Sequence, residues 1–287
     1  MNSTAVLLKA TARARELRGR VLVVKLGGSA MEDPAATRAT LESVVALQTL
    51  GVRLVLVHGG GKPIDRAMAA SGLTPKKVAG RRYTDAATLD IVVRVLCENI
   101  NAEIVKGLNE HGGRAEGVAD AAAFPISGEK LTLVGDDQLP IDLGFVGSPT
   151  VVDAAYLGDL LDAGLIPVIP SLCLREDGGW LNVNADTIAS AVAGALRADA
   201  TIFLTDTPGI LRDKNDPNSR IETVSVKDAK QLIADRVIDG GMIPKVEACF
   251  EALAAGAKRA VILDGRVPHA LLAEFVGEAI VGTQIVP

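Results

Sequence analysis

Two lysines, each beside a pair of glycines, carry the chemistry that this sequence can do. Lys25 stands in the stretch VLVVKLGGSA at 21–30, a run of Val and Leu without alternation that closes on Gly27 and Gly28. Such a run predicts a strand, Val21 to Leu26, in a parallel sheet covered on both faces. A charged side chain is expensive there unless its head reaches a cleft or a partner. Bare glycine backbone lets a ligand come close to amide N–H groups. A cation and exposed amides at the carboxyl end of a strand suit a phosphate, and open α/β sheets bind ligands at that end. The plain alternative is a strand and turn with a snorkelling lysine. Lys245 follows Gly240-Gly241-Met242-Ile243-Pro244. Pro244 suits the first position of a helix that stops at Gly256, which puts Lys245 in the first turn. A cation there opposes the helix dipole by up to ~1 kcal/mol, and a bound polyanion reverses that penalty.

A second anion site is written into His58-Gly59-Gly60-Gly61-Lys62-Pro63, between a buried strand (Val52 to Val57) and a helix opened by Pro63. Bare amides ahead of a helix N-terminus attract negative charge. The P-loop pattern fails because Pro63 follows Lys62, and the dinucleotide pattern GxGxxG fails at Ile64. The HGGG of esterases matches in letters, but the chain has no GxSxG nucleophile elbow. His58 reads as a packing or hydrogen-bonding residue rather than a base. His111 and His269 make no metal spacing with it. In Gly80-Arg81-Arg82-Tyr83-Thr84-Asp85 an arginine sits just ahead of a helix start, which suits either a carboxylate ligand or an exposed loop. In Leu181-Asn182-Val183-Asn184-Ala185-Asp186 the two asparagines share a face if the segment is extended. Asp186 is a helix cap or part of a polar site. Asp206-Thr207-Pro208-Gly209-Ile210-Leu211 is a further turn at a strand's carboxyl end.

The elements that must position these residues alternate in the manner of an α/β fold. The chain has 287 residues, 48% of them hydrophobic, with few aromatics and a formal net charge of −5. That balance argues against non-specific nucleic-acid binding. Cys97, Cys173 and Cys249 are far apart without a CxxC pair, which points to a reducing cytoplasm. No apolar run is long enough to span a bilayer. Helices are expected at 34–50, opened by Asp33-Pro34, and from Ala86 to Glu110, capped by Thr84 or Asp85. Others are expected at 153–163, from Asp186 to about Leu196 and from Pro268 to Val276. Strands are expected at 165–170, 200–205 and 260–263. Helical period vanishes over 114–150, where runs around Gly135-Asp136-Asp137 and Gly147-Ser148-Pro149 read as β-hairpins, a lid or pocket wall. Residues 213–220 read as an exposed loop. Residues 1–20 are basic like a transit peptide. Leu7, Ala10, Ala14 and Leu17 nevertheless make a helical stripe that suits docking on a neighbouring element or subunit, and a frayed tail is the alternative.

KLGG at 25–28, HGGGK at 58–62, GRRYTD at 80–85, NVNAD at 182–186, DTPGIL at 206–211 and GGMIPKVEA at 240–248 occur in one order with matching spacing. Together they resemble the amino acid kinase family, in its N-acetylglutamate kinase branch, over about Val21 to Val286. The resemblance implies a three-layer αβα sandwich with a mainly parallel sheet of about eight strands, a β-hairpin lid and an N-terminal helix. It implies a division into 1–20, an oligomerisation element, 21–190, a lobe for the amino-acid substrate, and 191–287, a lobe for ATP. The reaction would move the γ-phosphoryl of ATP to the side-chain carboxylate of N-acetyl-L-glutamate, in arginine biosynthesis, with Mg2+ carried by the nucleotide and no protein metal site. Lys25 and Lys245 would be catalytic, with Asp186 holding both. Gly60, Gly61, Arg82 and Asn182 would bind the acyl amino acid. Gly27, Gly28, Asp206, Gly209, Leu211, Gly241 and Met242 would lie along the nucleotide. Arg81-Arg82-Tyr83 departs from the usual Leu-Arg-Val type, and 120–130 lacks the usual Gly-Lys-Asp run. The N-terminal helix, His269 and Glu274 are similar to arginine-inhibited relatives, although 279–282 departs from them. Arginine feedback, a homodimer or a hexamer built as a trimer of dimers, and a PII-type signalling protein are thereby raised. Alternatives are a kinase of an acylated aminoadipate in lysine biosynthesis, or a non-catalytic sensor on the same scaffold.

Overall fold

The computed structural model describes residues 3–28, 31–135 and 138–287. Ser29-Ala30, which close the first stretch, and Asp136-Asp137, expected in a hairpin turn, lie outside the described residues. The amino-terminal half runs α1 (Ser3–Leu17), β1 (Val21–Leu26), α2 (Pro34–Thr49), β2 (Arg53–His58) and α3 (Gly61–Ala70). A short hairpin, β3 (Lys77–Val78) and β4 (Arg81–Arg82), leads to a long helix, α4 (Ala86–Val93) and α5 (Ala102–Glu110) joined by a π segment at 94–101. Then come β5 (Ala115–Gly117), β6 (Ile126–Lys130), β7 (Leu133–Val134), β8 (Pro140–Ile141) and β9 (Gly147–Val152). The middle holds α6 (Ala154–Asp162), β10 (Ile166–Pro170), β11 (Leu172–Leu174), β12 (Trp180–Asn182) and α7 (Ala185–Ala195). The chain closes with β13 (Ala200–Thr205), β14 (Thr223–Ser225), α8 (Val226–Ala234), α9 (Ile243–Ala255), β15 (Ala260–Asp264), α10 (Ala270–Val276) and β16 (Thr283–Val286).

One eight-stranded sheet runs β14-β16-β15-β13-β1-β2-β10-β5, parallel except between β15 and β16. β1 is central, paired with β13 on one side and β2 on the other. Its lack of alternation follows, since α2 with α5 and α10 covers one face and α7 with α9 covers the other. Asp33 caps α2 and Asp85 caps α4 by accepting backbone N–H bonds. Gly256 ends α9 at φ 118°.

The structure departs from expectation in identifiable places. Residues 115–117 do not join a hairpin but add β5 to the main sheet beside β10. The remaining hairpin strands combine with β11 and β12 into a four-stranded sheet, β12-β11-β6-β9, with β7 and β8 as a separate pair. α3 begins at Gly61, so Pro63 is its third residue, where a missing N–H is still harmless. α8, β14 and β16 carry too little periodic signal to be foreseen. Within α1, Leu17 is buried, Ala10 and Ala14 are half-buried and Leu7 is exposed. The helix lies against α10, where Arg13 donates to the Phe275 carbonyl at 3.2 Å and Lys9 pairs with Glu278.

Candidate active site

The carboxyl ends of β1, β2 and β13 open on one side of the sheet, and the glycine loops there leave room for a ligand. A cleft of about 360 Å3 is lined by Lys25, Gly27, Gly28, Gly60, Gly61, Arg82 and Asn182, all singled out in the sequence. A smaller cavity of about 100 Å3 lies on the other side of β1 and is lined by Lys25, Gly27, Gly28, Asp186, Asp206 and Lys245. Lys25, Gly27 and Gly28 line both, so the carboxyl end of β1 and the glycine pair after it border the two spaces.

Each lysine is held by a carboxylate. Lys25 Nζ lies 2.8 Å from Asp186 Oδ1 in an ion pair that lacks hydrogen-bond alignment. Asp186 sits in the first turn of α7, but Asn184 is the cap, accepting from Asp186 N at 2.8 Å. Asp186 is therefore not used as a cap and is free to face Lys25. Lys245 donates to Asp206 Oδ1 at 2.6 Å. Asp206, not Asp186, thus steadies Lys245 here, which corrects the expectation of one shared carboxylate. The Lys245 ammonium holds the Asp206 carboxyl below the usual carboxylate range.

Across the cleft, Gly60 precedes α3 and its bare Cα faces the π segment. A Cβ at Gly60 would lie 2.6 Å from Ile100 Cδ1 and 2.8 Å from Leu96 Cδ2. The extra residue of the π turn also aims Asn101 inward, where it donates to His58 Nε2 at 3.1 Å and to the Val168 carbonyl at 2.8 Å. His58 Nδ1 faces the Gly59 carbonyl at 3.2 Å. Asn101 can only donate through Nδ2, so His58 accepts at Nε2 and donates at Nδ1, which is the neutral ring. Burial pushes its pKa down to about 4. It is a buried strut beneath the glycine loop, as expected from the sequence.

That strut has a pH signature. Between the ordinary value of 6.5 and about 4 the unfolded chain binds a proton that the folded chain refuses. Stability therefore rises with pH in this window and is lost as pH falls through it. The loss amounts to about 3 kcal/mol. Urea titrations at intervals from pH 7 to 4 should show a shallower decline in His58→Gln than in the unmodified chain. Identical slopes would remove His58 from the acid response.

Arg82 lies on β4, 11% exposed, with Nη1 at 2.6 Å from Asp65 and 3.2 Å from Met68 Sδ, and Nη2 donating to the Gly61 carbonyl at 3.1 Å. Asn182 Nδ2 donates to Thr84 Oγ1 at 3.1 Å. Gly209, Leu211, Gly241 and Met242 line neither cavity. Gly209 has φ 121° in the loop after β13, and its Cα packs on Thr283. Gly241 and Met242 form the turn ahead of α9. Lys62, Ser171 and Arg81, to which the motifs assign no site role, also line the cleft. Ser171 follows Pro170 at the carboxyl end of β10, and that position was the available signal. Among the described residues no group of His, Cys, Asp and Glu is arranged to hold a metal ion. Among the described residues no helix is long and apolar enough to cross a membrane.

Comparison with known proteins gives a consistent picture. Residues 20–264 match the model of the amino acid kinase family. The chain is 42% identical over 280 residues to an acetylglutamate kinase of Acaryochloris marina, covering 98% of this chain and 96% of that one. It is 40% identical over 285 residues to an acetylglutamate kinase of Methanosphaera stadtmanae, covering 98% and 96%. Among solved structures it superimposes with TM-score 0.85 and 26% identity on an N-acetylglutamate synthase from Neisseria gonorrhoeae complexed with coenzyme A and N-acetyl-glutamate. All of this chain is covered but only 64% of that longer one. A carbamate kinase from Giardia lamblia bound to AMP-PNP shares the fold at TM-score 0.65 and 17% identity, covering 93% and 98%.

Proposed function

The chain belongs to the amino acid kinase family, and from that premise we propose that it transfers the γ-phosphoryl group of ATP to the side-chain carboxylate of N-acetyl-L-glutamate. The observation that carries the reading is the convergence of Lys25 and Lys245 on one wall of the sheet, with amides of Gly27 and Gly28 between the two cavities. The larger cleft takes the acyl amino acid and the smaller opens onto the nucleotide phosphates. The lobes at 21–190 and 191–287 then carry one substrate each.

The chemistry asks little of acids and bases. The attacking carboxylate has a reference pKa of ~4.3 and is ionised at neutral pH, so no general base is needed. The barrier lies in bringing two anions together and spreading charge over the transferring group. Lys25 works from the acceptor side and Lys245 from the donor side, with Asp186 and Asp206 fixing their amines. Amides at Gly28, Gly60 and Gly61 receive oxygens that cannot approach a residue with a side chain. Arg82 and Asn182 hold the α-carboxylate and the acetamido group. Gly27 lies with Gly28 beside the phosphates. Asp206, Gly209, Leu211, Gly241 and Met242 border the rest of the nucleotide. Mg2+ would be carried by ATP and would supply charge neutralisation.

Coupled ADP release with N-acetylglutamate, glutamate and an acylated aminoadipate tests this reading. Turnover should be greatest with N-acetylglutamate. Its homologue is one methylene longer, a difference worth ~1–3 kcal/mol in a pocket. Preference for the aminoadipate, or no ADP with any of the three, would overturn it. The exposed Leu7 and Leu8 of α1 support the further proposal of a dimer or hexamer, and the likeness to arginine-inhibited relatives motivates those of arginine feedback and a PII-type partner. Sedimentation and the same assay in millimolar arginine check the first two, and co-sedimentation with a PII-type protein checks the third.

A further inference from the structure

We propose that Arg81 is a second anchor for the α-carboxylate of the acyl amino acid, so that this group is held between two guanidinium forks rather than by Arg82 alone. The proposal rests on the function set out above and names a residue for its substrate selectivity.

The geometry begins with the hairpin. β3 and β4 pair with Lys77 opposite Arg82 and Val78 opposite Arg81. The two residues between them, Ala79 and Gly80, have φ 47° and 76°. Positive φ at both central positions is the tight turn that matches strand twist. Alanine is unfavourable in this region by ~1 kcal/mol, so the turn is held against a local cost. The turn delivers two adjacent arginines to the rim of one cleft.

The two arginines are not equally available. Arg82 is engaged by Asp65, the Gly61 carbonyl and Met68. Lys25 is paired with Asp186, and Lys62 with Glu32. The Arg81 guanidinium makes no hydrogen bond or ion pair among the described residues, and it is the cation of the lining whose charge no contacting carboxylate offsets. Among the described residues no Asp or Glu lines the cleft. A ligand with carboxylates at both ends brings more negative charge than three paired cations can balance. Arg81 supplies the remainder, with a planar fork suited to two parallel hydrogen bonds. Glu251 on α9 is the rival partner. It feels the Arg81 charge, but no ion pair joins them.

Steady-state ADP release is measured for the unmodified chain, Arg81→Leu, Arg81→Lys and Glu251→Gln, with N-acetyl-L-glutamate and with its α-carboxamide. Arg81→Leu is expected to raise KM for the acid ~10–100-fold, the worth of charge-assisted hydrogen bonds, with kcat and the ATP KM little changed. The preference for acid over carboxamide should shrink by the same factor. Arg81→Lys should fall between, and Glu251→Gln should keep the ordinary KM. An unaltered ATP KM in Arg81→Leu also shows that the variant is folded. The ordinary acid KM and acid–amide preference in Arg81→Leu would overturn the proposal and leave the kinase reading standing. Equal KM rises in Arg81→Leu and Glu251→Gln would overturn it too, assigning Arg81 to an ion pair between β4 and α9. An unmodified chain that releases no ADP with N-acetylglutamate overturns the kinase reading itself, and this proposal with it.

Discussion

Lys245→Ala and Lys25→Ala should each lower kcat by at least ~10²-fold, with KM for either substrate changed far less. Removing one oxyanion donor from a preorganised site costs about that much. Both lysine side chains are mostly covered, 14% exposed for Lys25 and 24% for Lys245. A charge in such a place acts through a lower dielectric than water and needs no reorganisation as the phosphoryl group moves. The effect therefore belongs in kcat rather than in binding. The double variant should be little worse than either single one, because both lysines stabilise the same charge. Each replacement also leaves its carboxylate, Asp186 or Asp206, without its cation. Melting curves belong beside the kinetics, so that lost turnover is not mistaken for lost fold. Single-turnover measurements with enzyme in excess separate the chemical step from product release. A well-folded variant that turns over within threefold of the unmodified chain would remove that lysine from the mechanism.

Gly27→Ala is expected to have the next largest effect, through sterics rather than charge. A Cβ at this position would stand 2.7 Å from the Leu204 carbonyl oxygen and 3.2 Å from Lys25 Nζ. Leu204 belongs to β13, whose ladder with β1 pairs it opposite Leu26. Two central strands cannot part locally without losing hydrogen bonds, so the strain passes to Lys25. Overpacking of this kind costs ~1–3 kcal/mol of stability. A fall in kcat of about tenfold or more should accompany it, since small misplacements of a catalytic group are costly. Gly28→Ala is the contrast, because no described residue beyond its chain neighbours lies within 4 Å of a Cβ there. It should melt like the unmodified chain, and any loss of activity would report the close approach of a ligand. Equal melting temperatures and equal turnover for Gly27→Ala and the unmodified chain would contradict the geometry.

The fold was readable wherever burial leaves a continuous signature. β1 and β13 have the expected bounds because strands covered on both faces are uninterrupted apolar runs. Caps and stops at Asp33, Asp85 and Gly256 are local chemistry and were visible for that reason. Lys25 stood out as a charge in a strand that tolerates none, and the structure gives it a cleft and a partner. Distant pairings were not legible. That Asp206 rather than Asp186 steadies Lys245 depends on how α9 lies across the end of β13. The π segment adds one residue to a helical turn without a mark in the sequence, yet it sets the floor beneath Gly60. β5 is too short to show a period and is placed by its neighbour β10. The different engagement of Arg81 and Arg82 could not be seen in a doublet of like residues.

Phosphoryl transfer here requires two lysines from remote parts of the chain to meet at one phosphoryl group. The most direct measurement is a crystal structure with ADP, Mg2+, aluminium fluoride and N-acetylglutamate bound together. The amines of Lys25 and Lys245 should lie on opposite sides of the planar fluoride, each about 3 Å from it or from its flanking oxygens. A complex in which either amine still faces only its carboxylate, turned away from the transferring group, would contradict it.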